Sequence, residues 1–192
     1  MRRFCLCLLA AALPAFADDP FADYEPVENA LVVAAPAPAR DEDDPVVQRG
    51  RYLVNLLGCA SCHTDGALLG APEEARALAG SRVGIAISDP LRVRYPAVVY
   101  PPNLTPDPET GLGSWSESDI AQLLREGMGR HGSRALPVMP WQSYARLKED
   151  DALAIARYLK RLAPNAHRVP ARVPEGEPAR APYVHVGLYQ RR

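Results

Sequence analysis

Hydrophobic positions fall into three stretches with helical period, separated by long passages that have none. In "PVVQRGRYLVNLLG", Tyr52, Leu53, Leu56 and Leu57 form an apolar stripe, which predicts a helix over about Pro45 to Leu57 capped by Asp43 or Asp44. Gly50, with hydrogen for a side chain, would let another helix cross closely. Ser116 opens the second stretch, and Asp119 three residues on completes a capping box that satisfies two orphan backbone donors. Ile120, Leu123 and Leu124 supply its buried stripe, and Gly127 and Gly129 end it. The third, "EDDALAIARYLKRL", runs from about Glu149 to Leu162, with acids in its first turn and Lys160 and Arg161 in its last, matching the helix dipole. Its inward set is Leu153, Ile155, Ala156, Leu159 and Leu162, and Pro164 stops it.

Residues 64–102 have no strong period and many breakers, so a long loop is expected there. Pro101, Pro102, Pro106 and Pro108 with "PETG" fix a turn-rich approach to the second helix. Asn103-Leu104-Thr105 matches a glycosylation sequon but reads as coincidence, and Asp107 and Glu109 read as solvated turn carboxylates rather than a cation site.

The two ends differ from the middle. "MRRFCLCLLAAALPAFADD" has a basic start, a short apolar run and a small-x-small site before Asp18, the marks of a secretory signal peptide over residues 1–17. The run is shorter than the ~20 residues of a bilayer span, so an exported chain with no transmembrane span after cleavage is expected. Residues 18–45 then read as an acidic, Pro/Ala-rich extended arm, and residues 164–192 as a mildly basic, Pro-rich extended tail whose His167 and His185 sit at the surface. One domain of residues 46–163 remains.

Composition narrows the partners. The formal net charge is −1 with 23% charged residues, without the strongly basic surface that nucleic-acid binding needs. Cys5 and Cys7 fall inside the signal, which leaves Cys59 and Cys62 in "CASCH". A disulfide across two residues would staple almost nothing. Zinc needs further ligands, and beyond His63 the chain offers only His131, His167 and His185 with no second cysteine pair. A thioredoxin-like pair would follow a strand, whereas this one ends a helical segment. C-x-x-C-H behind an export signal therefore points to covalent attachment of haem c, with thioether bonds from Cys59 and Cys62 and His63 as proximal iron ligand.

An iron that carries electrons should have both axial positions filled. The candidates for the sixth ligand are Met139, between Pro137 and Pro140 in "LPVMPW", Met128 in the glycine-rich "REGMGRHG", and His131 beside it. The prolines fix a loop that can aim one side chain, which favours Met139. His131 is the rival.

The phrases "NLTPDPETGLGSWSESDIAQLLREG", "LPVMPWQSYARLKEDDALAIARYLKRL" and "CASCH" resemble the haem domains of bacterial cytochrome c subunits that accompany dehydrogenases, the alcohol dehydrogenase type included. The resemblance spans about Val46 to Ala163 and implies an all-α class I cytochrome c fold wrapped around one haem. It implies Cys59 and Cys62 as thioether cysteines, His63 and Met139 as iron ligands, and a crossing of the first and last helices with Gly50 against Tyr158. Many relatives carry three haem motifs and this chain has one. Trp115, Asn103, Tyr144 and Trp141 are candidates for packing on the haem or bonding a propionate.

The expected function is electron transport: a periplasmic carrier of single electrons between a redox donor, such as a dehydrogenase catalytic subunit, and a respiratory-chain acceptor. Its alternatives are a haem enzyme with an open sixth position, acting as a peroxidase or on sulfur compounds, and a redox or gas sensor that exchanges Met139 for His131.

Overall fold

The computed structural model describes residues 22–27, 37–87, 93–127 and 139–186. The expected signal peptide, part of the arm, Met128 and His131 lie outside these residues.

Helix α1 (Pro45–Leu56) is capped by Asp44, whose carboxylate accepts from the Val46 amide at 2.8 Å, and Pro45 fits the first turn because that turn needs no donor. A short helix α2 (Cys59–His63) follows Gly58, a left-handed residue at φ 67° that breaks the chain's helical course just before the cysteines. Helix α3 (Glu117–Glu126) carries the capping box in full: Ser116 Oγ accepts from Asp119 N at 3.1 Å and Asp119 accepts from Ser116 N at 2.9 Å. Gly127 ends it in the left-handed conformation. A single turn α4 (Trp141–Tyr144) precedes α5 (Glu149–Arg161), which opens on three acidic residues and closes on Lys160 and Arg161.

Helices α1 and α5 cross at Gly50. A Cβ there would run into the Ala154 carbonyl and the Tyr158 Cβ, so only glycine permits the approach. Around this crossing Val47, Leu53, Val54, Ile120, Leu124, Ile155, Tyr158, Leu159 and Leu162 form one buried core. The apolar stripe of α1 is turned from the one expected. Leu53 is buried, but Tyr52 and Leu56 are 55% and 64% exposed, and Val47, Gly50 and Val54 face inward instead. A crossing centred on glycine selects the small and β-branched face over the larger apolar side chains.

The stretch expected as plain loop holds the second half of the molecule. Strands β1 (Gly84–Ile87) and β2 (Val98–Val99) pair antiparallel, with Ile85 opposite Val99 and Ala86 opposite Val98. Strand β3 (Tyr183–Val186), from the tail, pairs parallel to β1, giving the order β2-β1-β3. The all-α expectation is thus corrected to helices plus a small three-stranded sheet. Its strands are two to four residues long, too short for alternation to show in sequence. A second core of Leu68, Val83 and Ile85 lies under the sheet, and a third joins Ala86, Val98 and Tyr100 to the tail residues Val169, Val173, Ala179, Ala181 and Tyr183. Among the described residues no helix is long and apolar enough to cross a membrane.

Candidate functional site

Cys59, Cys62 and His63 share the single short helix α2 at the seam between the two halves. Cys59 packs on the helical core, while Cys62 packs on the Leu68, Val83 and Ile85 cluster beneath the sheet. Both thiols are unbridged and half-buried. Burial pushes the Cys59 thiol up to about 11 and raises that of Cys62 as well, so neither is a poised thiolate of the kind redox enzymes use. That chemistry suits cysteines destined for a permanent bond better than cysteines that cycle.

The His63 imidazole is oriented by backbone. Its Nδ1 donates to the carbonyl of Pro102 at 2.8 Å, and because a carbonyl only accepts, the proton is assigned to Nδ1 and the Nε2 lone pair is left available. Burial lowers the affinity of His63 for a second proton, with the Pro102 contact opposing it. The His63 carbonyl is held too, accepting from Gly80 N at 2.8 Å. Pro102 therefore acts through its main chain, and no residue-type signal in the sequence could have named it.

Met139 is half-buried at the start of the Pro140–Leu147 turn and packs on the same helical core as Cys59. Its carbonyl accepts from the Trp141 amide at 2.7 Å, which closes the turn. Of the four polar or aromatic candidates, Asn103 is spent on the loop and the tail, with Nδ2 donating to Asn165 O at 2.7 Å and Oδ1 accepting from Thr105 N at 2.9 Å. Tyr144 reaches the Leu57 carbonyl at 3.5 Å, and burial pushes its hydroxyl up to about 12. Trp115 packs on the helical core. Trp141 differs, because its indole Nε1–H is buried without a hydrogen-bond partner among the described residues. An orphan donor of this kind normally has an explanation, and an acidic prosthetic group would supply the acceptor.

His167, expected at the surface, is buried: it is 8% exposed and its Nδ1 donates to Ala79 O at 2.9 Å. Beside it, Asp65 (2% exposed) accepts from Arg82 N at 2.9 Å, Arg82 Nε at 2.6 Å and Arg76 Nη1 at 3.2 Å. Burial would push this carboxyl up, but the Arg82 contacts and the nearby His167 outweigh it and hold the group below its ordinary range. His185, also in the tail, is half-buried and meets Tyr24 of the arm at 3.1 Å.

Known proteins resemble the chain over 115 to 119 residues. It is 37% identical over 119 residues to the cytochrome c subunit of alcohol dehydrogenase (quinone) from Gluconobacter oxydans (strain 621H), covering 62% of this chain and 22% of that protein. The fructose dehydrogenase cytochrome subunit of Gluconobacter japonicus is 32% identical over 115 residues, 60% of this chain and 21% of its own length. A diheme cytochrome c-type protein of Cereibacter sphaeroides is 31% identical over 117 residues, 61% of this chain and 36% of its own. The chain thus spans between about a fifth and about a third of the length of these relatives. The cytochrome c family model matches residues 47–163, a span that contains "CASCH", the His63 to Pro102 contact and Met139, and so the chain belongs to the cytochrome c family, whose prosthetic group is covalently bound haem c.

Proposed function

We propose that the protein is an exported, periplasmic monohaem cytochrome that carries single electrons between a dehydrogenase or other redox donor and a respiratory-chain acceptor. In this reading residues 1–17 are the signal peptide, residues 46–163 form the haem domain, and the arm and tail flank it. Cys59 and Cys62 would hold the porphyrin through thioethers, His63 Nε2 and the Met139 thioether would ligate its iron, and Trp141 Nε1–H would bond a propionate. When bound, haem c would supply one-electron redox chemistry at its iron.

The chain's own residues do the rest. The carbonyl of Pro102 orients the His63 ring and makes Nε2 a better donor. The segment 139–147 tethers the methionine to α5, whose inner face is packed in the core. Apolar cores on both sides of α2 exclude water from the macrocycle. The reading is carried by one observation above the others, the 2.8 Å contact from His63 Nδ1 to Pro102 O that leaves Nε2 free on a helix with two unbridged cysteines. A dehydrogenase as the partner is supported by the relatives, two of which are cytochrome subunits of dehydrogenases.

The test is the optical spectrum of the exported protein, oxidised and reduced, beside Met139→Ala. The expected result is one haem per chain, the weak long-wavelength band of a thioether on ferric iron that disappears in the variant, and indifference to carbon monoxide. Rapid carbon monoxide binding by the wild type would defeat the carrier reading and favour an open or exchangeable sixth position.

A further inference from the structure

The family match ends at residue 163, yet the chain beyond it is seated on the loops that hold His63. Asn165 is bound on three sides: its amide N donates to Thr105 Oγ1 at 3.1 Å, its side chain donates to Ala75 O at 2.9 Å, and its carbonyl accepts from Asn103 Nδ2 at 2.7 Å. Asn103, the residue after Pro102, is 2% exposed and also donates to Thr110 Oγ1 at 2.9 Å. Two residues further along the tail, His167 donates to the carbonyl of Ala79 at 2.9 Å. Val169 closes over Gly80.

Gly80 is where these segments converge. It sits at φ +88°, and a Cβ in its place would lie 2.6 Å from Val169 Cγ1, 2.8 Å from Asn103 N and 3.0 Å from Pro101 O. The same glycine donates to the His63 carbonyl, and its neighbour Ser81 donates to Pro101 O at 3.0 Å. One short stretch of tail therefore touches both strands of chain that grip His63: residues 79–81 on its carbonyl and residues 101–103 on its imidazole. Among the described residues the His167 Nε2 is buried without a hydrogen-bond partner, 3.6 Å from Asp65 Oδ2. The ring is held by one hydrogen bond, by the Asp65 carboxylate 3.6 Å away and by packing.

We infer that Asn165 to Val169, outside the family domain, is a positioning strap that keeps the Pro102 carbonyl on His63 Nδ1 and thereby helps set the electron affinity of the iron. The inference rests on the reading of His63 as axial ligand. A carbonyl acceptor on Nδ1–H raises the basicity of the ligating nitrogen, and a more basic ligand favours Fe(III). Loosening the strap weakens that contact and makes the iron easier to reduce.

The experiment uses the full-length haem-loaded protein and two variants, His167→Leu and His167→Asn. The carboxamide N–H of asparagine replaces Nδ1–H as donor to Ala79 O. In His167→Leu the amides of Gly80 and Leu104 should exchange with deuterium about tenfold faster while those of α5 keep their protection. At the wild-type midpoint potential the reduced fraction should rise well above one half. His167→Asn should return both toward wild type. Should His167→Leu fail to fold, Val169→Ala carries the same expectation, since it only opens space over Gly80. Unchanged exchange would overturn the inference, and so would faster exchange with an unchanged potential, which would leave the strap merely structural. A protein without haem absorption, or one whose spectrum shows His63 off the iron, would instead defeat the ligand assignment, and that failure is visible before any variant is compared.

Discussion

The helical half and the strand half of this molecule are built on opposite logic. In the helical half, backbone hydrogen bonds are mostly local, the Ala39–Leu162 bridge and the Arg40 N to Arg161 O bond at 2.9 Å excepted, and the main long-range contact is side-chain packing about one glycine, with α1 and α5 crossing at Gly50. In the strand half, the long-range contacts are themselves backbone pairings: Val98 with Val173, and β1 with β3 across about a hundred residues of chain. Helix α2 with its cysteines lies on the seam. The lesson is that one half tolerates almost no change at its crossing, while the other is secured by pairings distant in sequence that can loosen without unfolding the helices.

The comparison can be broken most directly at the glycines. In Gly50→Ala the new methyl meets backbone, the Ala154 carbonyl, so the helices must separate. The expected loss is about 3 kcal/mol, the upper part of the overpacking range, read from urea unfolding of the haem-loaded protein. Gly84 in β1 is also crowded, but the atoms nearest its added methyl belong to the side chains of Val98 and Tyr100 rather than to backbone. Gly84→Ala should cost about 1 kcal/mol. Equal losses at the two sites would remove the distinction between a fixed crossing and an adaptable sheet.

The same difference decides what could be read from the sequence. The three long helices, the Ser116 capping box and the need for glycine at position 50 were legible because helix period and cap chemistry are local. The "CASCH" motif was legible because its residue types and spacing are chemically restrictive. The stripe of α1 was misjudged because hydropathy favours Tyr52 and Leu56, whereas the crossing favours small neighbours of Gly50. The sheet was not legible: strands of two to four residues carry no usable alternation, and β3 depends on a partner far along the chain. His167 looked like a tail residue because only the folded chain brings Ala79 and Asp65 to it. Pro102 could not be singled out by side-chain type, since its contribution is a carbonyl.

Two tyrosines sharpen the comparison, since each ties an extended flanking segment to one half. Tyr158 in α5, fully buried, donates to Ala37 O of the arm at 2.6 Å, and burial pushes its hydroxyl up to about 12. Tyr100 after β2 donates to Ala181 O of the tail at 3.0 Å. Tyr158→Phe should cost about 2 kcal/mol, because the Ala37 carbonyl loses its donor where water enters poorly. Tyr100→Phe should cost about 0.5 kcal/mol, because Ala181 is only half-buried and water can replace the hydroxyl. Limited proteolysis distinguishes them further: the first variant should be cut sooner in the arm and the second in the tail. The reverse order of stability would mean that the arm, not the tail, is the more weakly held.

The smallest effect is expected at the turn that joins the halves. Asp107 accepts from Thr110 Oγ1 at 2.7 Å, Thr110 N at 2.7 Å and Glu109 N at 3.2 Å. The Thr110 hydroxyl first, then the Thr110 and Glu109 amides and the charge of Arg168 from the tail, hold its carboxyl below the ordinary range. A group whose pKa is depressed on folding stabilises the native state above its unfolded value, near 3.9, and that contribution disappears as pH falls through the folded value. Asp107→Asn, which keeps an acceptor but no charge, should therefore unfold at slightly lower urea than wild type at neutral pH. The gap should narrow once pH drops below about 4, because the wild-type carboxylate is then being neutralised. A gap that stays constant down to about pH 3 would mean that the turn needs only the hydrogen-bond acceptor, and that Arg168 contributes nothing across the seam.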